Sequence, residues 1–79
     1  MATIKINKSE IETGWIFKVN VSNGDSTTHR VNLTREYYEH LSLTDTNPSK
    51  LVEGSFRFLL ERESKEMILR TFDLKIISH

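Results

Sequence analysis

Cysteine is absent from the 79-residue chain, and that absence removes disulfide staples, thiolate zinc sites and cysteine nucleophiles together. It fits a reducing compartment, so the expected location is the cytoplasm. Neither sign of charge is in excess: 11 Lys and Arg balance 11 Asp and Glu, leaving no net field to draw the chain onto nucleic-acid phosphates or an anionic membrane. Only a local basic patch could do so. Long apolar runs are missing too. No window approaches the roughly 20 residues of a spanning helix, and Met1-Ala2-Thr3-Ile4-Lys5 lacks the charged-then-apolar order of a secretory leader. Three glycines and one proline leave little material for linkers, and there is no internal repeat or low-complexity tract, so a single domain over residues 1–79 is expected. At this size folding hides only about 60% of the unfolded surface. Self-association would relieve that thin margin.

Against these absences stands a clear change of apolar period. Trp15, Phe17, Val19 and Val21 alternate with Ile16, Lys18, Asn20 and Ser22, and after Asn23-Gly24-Asp25 the residues His29, Val31 and Leu33 alternate with Arg30, Asn32 and Thr34. Asn-Gly tolerates the positive φ of a tight hairpin turn, so these two strands should pair antiparallel. Thr3 to Asn7 predicts a shorter first strand with Ile4 and Ile6 on one face, followed by a polar segment from Lys8 to Gly14. The expected sheet is a three-stranded antiparallel meander with Trp15, Phe17, Val19, Val21, Val31 and Leu33 on its apolar face.

From Thr34 the spacing becomes helical. Thr34 is a candidate N-cap with Glu36 near the positive end of the helix dipole, and Leu33 and Tyr38 have the spacing of a hydrophobic staple. Tyr37, Tyr38 and Leu41 form the predicted buried side. Thr44-Asp45-Thr46-Asn47-Pro48 then breaks the helix, with Asn47 as the cap and Pro48 at the first position of the next. Leu51, Val52, Phe56, Leu59 and Leu60, extended by Phe58, make a stripe wide enough to predict cover on more than one side. Gly54 and Ser55 interrupt it, which predicts a second backbone packed close there. Ser64 is read as the cap of a third helix bearing Met67, Ile68 and Phe72, and Asp73 as the cap of a last turn with Leu74, Ile76 and Ile77. The expected fold is α+β, a three-stranded meander followed by three helices packed on one face of the sheet.

No chemistry of catalysis is legible on this frame. There is no Gly-x-Ser-x-Gly elbow and no glycine-rich phosphate loop. His29, His40 and His79 make no recognised ligand spacing. Neither catalysis, cofactor nor metal is expected. Arg35 and Glu39, Glu53 and Arg57, Arg57 and Glu61, Glu61 and Lys65, and Arg62 and Glu66 stand four apart, each pair contributing a few tenths of a kcal/mol if formed. The helix cations should therefore be neutralised at home. The aromatic residues fall at core spacings, without the basic groove that base-stacking platforms require.

Two resemblances are carried by the middle of the chain. The blocks Thr28-His29-Arg30-Val31-Asn32-Leu33-Thr34-Arg35-Glu36-Tyr37-Tyr38 and Leu51-Val52-Glu53-Gly54-Ser55-Phe56-Arg57-Phe58-Leu59-Leu60-Glu61-Arg62-Glu63, about half the chain, resemble a small family of uncharacterised prokaryotic proteins. That resemblance implies a bacterial, archaeal or phage source and brings no assigned activity with it. The strand–helix–helix order is also similar to ribbon-helix-helix DNA-binding proteins, in which a strand pairs with its twin in a dimer and enters the major groove. This resemblance implies that Thr28, Arg30 and Asn32 would face bases while Asn47 and Lys50 would meet a phosphate. The expected function is a non-enzymatic protein-interaction or regulatory module whose partner is another protein or a second copy, a homodimer. DNA binding is the alternative, and a membrane partner is not expected.

Overall fold

A computed structural model describes residues 2–41 and 47–77, the last without its side chain. The expected breaker Thr44-Asp45-Thr46 and the terminal His79 lie outside the described residues. Strands β1 (Thr3–Ile11), β2 (Gly14–Asn23) and β3 (Asp25–Thr34) are followed by helices α1 (Arg35–His40) and α2 (Pro48–Arg62) and by a short strand β4 (Thr71–Asp73). Single 3-10 turns cover Lys65–Met67 and Leu74–Ile77. The sheet order is β1-β2-β3-β4. The first three strands form the antiparallel meander, and β4 adds to β3 in parallel. A parallel neighbour cannot be reached by a tight turn. The two helices supply the crossover.

Register follows from the turns. Gly24 holds a φ of +87° at the β2–β3 hairpin, a conformation L-residues with a side chain rarely adopt. Pairing from there places Val21 opposite Thr27, Val19 opposite His29, Phe17 opposite Val31 and Trp15 opposite Leu33, while Ile4 and Ile6 oppose Val21 and Val19 from the other side. Gly14 is needed for a different reason: a Cβ there would lie 2.2 Å from the Leu33 carbonyl oxygen. Onto this inner face α2 sets the buried side chains Val52 and Phe56, and Ile68, Phe72 and Leu74 of the returning chain complete the core.

Both predicted helix starts are present. The Thr34 hydroxyl accepts from the Tyr37 N–H at 3.1 Å, and the Asn47 side-chain oxygen accepts from the Lys50 N–H at 2.9 Å, with Pro48 opening α2. Tyr37, Tyr38 and Leu41 are half-buried rather than core, and Tyr38 meets Trp15 edge-on with ring centroids 5.5 Å apart.

Four expectations are corrected. β1 runs on to Ile11, so the polar segment from Lys8 is strand. The third helix is absent: two α-helices, not three, are found among the described residues, and its sequence forms a 3-10 turn and β4. The Ser64 side chain makes no cap bond there. Phe72 and Leu74 are buried on either side of the less buried Asp73, a strand-like alternation, and pairing with β3 satisfies a backbone edge that a helix would leave open. Helix α2 is covered on one side, with Phe58 turned outward. Finally, Gly54 is exposed and an added Cβ would meet nothing within 4 Å, so no second backbone packs against it.

Two stability measurements check this core. Phe56→Ala should lower the unfolding free energy by about 3–5 kcal/mol, the range for removing a buried Phe, and a denaturant midpoint equal to that of the parent would contradict the packing. Gly54→Ala should raise stability by about 0.5–1 kcal/mol through lower backbone entropy in the unfolded chain.

Candidate functional surfaces

Surfaces on this protein are set by what holds the returning chain to β3. His29 is fully buried, its Nδ1 2.8 Å from the Leu69 carbonyl oxygen and its Nε2 2.8 Å from the Thr27 hydroxyl. A carbonyl only accepts, so Nδ1 carries the proton that it donates. With Phe56 packed edge-on against the ring at 5.3 Å, His29 is a structural bracket with both nitrogens occupied. His40 is exposed on α1. Among the described residues no group of three His, Cys, Asp or Glu is placed to hold a metal ion.

A second bracket lies at the hairpin. Lys65 is buried, yet its ammonium reaches Asp25 and Glu66, each at 2.7 Å. The hydrogen bond from Lys65 holds the Asp25 carboxyl below its usual range and does the same for Glu66. Lys65 is raised in turn, first by its bond to Asp25 and then by Glu66, against the opposing effect of burial. Beside it a hollow of about 490 Å³ lies between Ile4, Val21 and Leu60, rimmed by Arg57, Glu61 and Glu63. The amine that reaches it is already committed to its two carboxylates.

Of the five expected helix ion pairs, only Glu53 with Arg57 forms among the described residues, at 2.8 Å. Helix α2 ends at Arg62, so pairs extending past it lose their geometry. Arg62 lies over the Phe58 ring at 4.4 Å. Arg35 reaches back to the β1–β2 turn, donating to the Ile11 and Glu12 carbonyls at 3.2 and 2.9 Å and to the Glu10 carboxylate, with its guanidinium 5.1 Å from the Trp15 ring centre.

Two faces are left open. On one side of the molecule, between α2 and the returning chain, is an apolar groove of about 260 Å³ lined by Phe58, Leu59, Met67, Leu69 and Ile76 above Phe72. Phe58, Met67, Leu69 and Ile76 are 37, 70, 59 and 56% exposed. Isolated exposed apolar residues are ordinary, whereas contiguous ones lining a groove mark an interaction surface. The sheet itself provides the second face, since no helix among the described residues covers its outer side. Strand alternation and register bring Lys5, Lys18 and Arg30 onto it, with Asn7, Lys18, Arg30 and Thr71 in one cross-strand row and Lys5, Asn20 and Thr28 in the next.

Thr28, Arg30 and Asn32 are thus brought together, all exposed on this outer face. Asn47 and Lys50 are not with them, because α2 packs on the opposite side of the sheet. The ribbon geometry also meets an obstacle: β3 is bonded to β2 along one edge and, at Arg30 to Asn32, to β4 along the other. Pairing of β3 with a twin strand has no free edge there. Alternation along β2 already places Lys18 on this polar face with Thr28, Arg30 and Asn32; Lys5 is the residue that sequence reasoning leaves out, and extending the β1 alternation to its pairing with β2 finds it. The groove was hidden because it depends on β4 and not on a third helix.

No family model, curated protein or solved structure matches the chain. None of the helices among the described residues is long and apolar enough to cross a membrane.

The Lys65 bracket gives a pH dependence of definite sign. The raised lysine contributes stability that is complete below its ordinary range and is lost as pH rises through its folded value. The lowered carboxylates contribute stability that is complete above their ordinary range and is lost as pH falls through their folded values. Lys65→Met should therefore be less stable than the parent at neutral pH, with the gap shrinking on acidification below about pH 4. Urea midpoints against pH measure it. A gap that is constant down to pH 2 would show that the pair contributes nothing.

Proposed function

We propose that the protein is a small non-enzymatic interaction module that receives a partner protein in the apolar groove between α2 and the returning chain. The observation that carries this reading is the contiguous exposure of Phe58, Met67, Leu69 and Ile76 around one groove. Aromatic and methionine side chains are enriched in interface cores, and Met adapts its shape to what it meets. A second copy is one such partner, since a domain of 79 residues gains much from covering apolar surface. A cytoplasmic location and a prokaryotic source belong to the same proposal, supported by the lack of cysteine and by the two sequence blocks.

The second reading, a DNA-binding regulator of ribbon-helix-helix type, is supported by the shared outward direction of Thr28, Arg30 and Asn32. The occupied edges of β3 and the separation of Asn47 and Lys50 from that face count against it.

The test is a photo-crosslinking residue placed at Leu69 and, separately, at Asn20 in cells expressing the protein. Discrete adducts from position 69 that disappear with Phe58→Ser are expected, and a homodimer would double the 9.2 kDa mass. Adducts from position 20 alone, or from neither, would overturn the groove as the docking surface.

A further inference from the structure

Going beyond the groove, we infer that the outer face of the sheet is a phosphodiester-binding surface that holds duplex nucleic acid without reading its sequence. The argument starts from a charge distribution that composition conceals. The chain as a whole is neutral, but the outward positions of β1, β2 and β3 carry Lys5, Lys18 and Arg30 and not one acidic residue. Among the described residues, Glu10 of β1 and Asp25 of β3 stand near strand ends and out of the outward register. The other described carboxylates are on the β1–β2 turn, the helices and the returning chain, and only Asp73 of β4 is near the rim, opposite Asn32.

Lys18 and Arg30 are direct cross-strand partners, so their Cα atoms stand roughly 5 Å apart. Like charges directly opposite destabilise a sheet. Neither is relieved by an ion pair among the described residues, and the same holds for Lys5. An external anion would convert that repulsion into attraction. Around the cations lie neutral hydrogen-bonding side chains, with Asn20 donating to Thr28 at 3.3 Å and Ser22 to Asn20 at 3.1 Å. Arg, Lys, Ser, Thr and Asn are the side chains that position phosphates.

What this face lacks narrows the ligand. The two rows that carry the cations hold no apolar side chain, and Ile16, in the neighbouring row beside Asn32, is half-buried, which disfavours a protein partner, whose binding energy concentrates in buried aromatic or aliphatic side chains. The face holds no aromatic residue, so the unstacked bases of a single strand would find no platform. A duplex displays its phosphates outward and needs neither. The flat face differs from a two-stranded ribbon in the major groove: it meets backbone, and its affinity is electrostatic.

Fluorescence anisotropy of a labelled random-sequence duplex tests this with the full chain. For three neutralised phosphates, raising monovalent salt from about 50 to about 200 mM should weaken binding roughly 40-fold. Two duplexes of unrelated sequence should bind alike. The Lys18→Glu, Arg30→Glu double variant, which keeps a like-charged pair at the same positions, should lose binding at least tenfold. A Lys8→Glu, Arg57→Glu double variant carries the same change in net charge away from this face and should bind as the parent does. Urea midpoints establish that both variants are folded. Equal losses in the two variants would overturn the site, as would tighter binding of poly-glutamate or of anionic lipid vesicles than of duplex. A salt dependence near zero would do the same.

Discussion

The outer edge of β3 has to be satisfied, and most of the structure follows from the way this is done. After the hairpin β3 is bonded to β2 alone, and its other edge offers backbone groups and the Nδ1–H of the buried His29 with no local partner, the Nε2 being held by Thr27. The chain answers from far along the sequence: Leu69 accepts from His29, Arg70 accepts from the Arg30 N–H at 2.7 Å, and β4 continues the pairing to Asn32. Everything between has to cross the sheet to make that return possible. α1 and α2 are the crossing, and their apolar sides become the roof of the core.

This constraint also explains where sequence reasoning succeeded. Trp15 to Leu33 carries its own register, because an Asn-Gly turn and a period of two fix the hairpin locally. Thr34 and Asn47-Pro48 are caps whose chemistry acts within one turn. The inward direction of His29 was legible from alternation alone. Residues 64–77 were not, since their strand exists only because β3 is there to receive it, and a run such as Met67-Ile68-Leu69-Arg70-Thr71-Phe72 satisfies either period at that length. Gly54 misled for a related reason: a small residue in an apolar stripe resembles a packing contact, and only the observed lack of neighbours shows that it makes none.

The candidate surfaces divide along the same line. The three cations on the outer face are set by β1, β2 and β3, so Arg30 could be named as a site residue from sequence. Lys5 joined it only once β1 was paired. The groove depends on the return, with Phe58 and Leu59 on one wall and Met67, Leu69 and Ile76 on the other, and so it became visible only with the complete sheet. Each surface uses a different chemistry on opposite sides of one sheet, so both can be occupied together.

The parallel pairing of β4 carries a kinetic consequence. The meander closes through connections of two residues and one residue, whereas the bond between His29 and Leu69 spans 40 positions. Loop closure over that distance costs more chain entropy than a hairpin does, and non-local pairing slows folding. The order this implies is the meander first, then the helices, and the edge strand last. Pulsed hydrogen exchange would read it as early protection in β2 and β3, with late protection at Thr71 to Asp73. Because the groove is walled by the last element to dock, it would be the newest surface on a folding chain and the first to dissolve when the fold loosens.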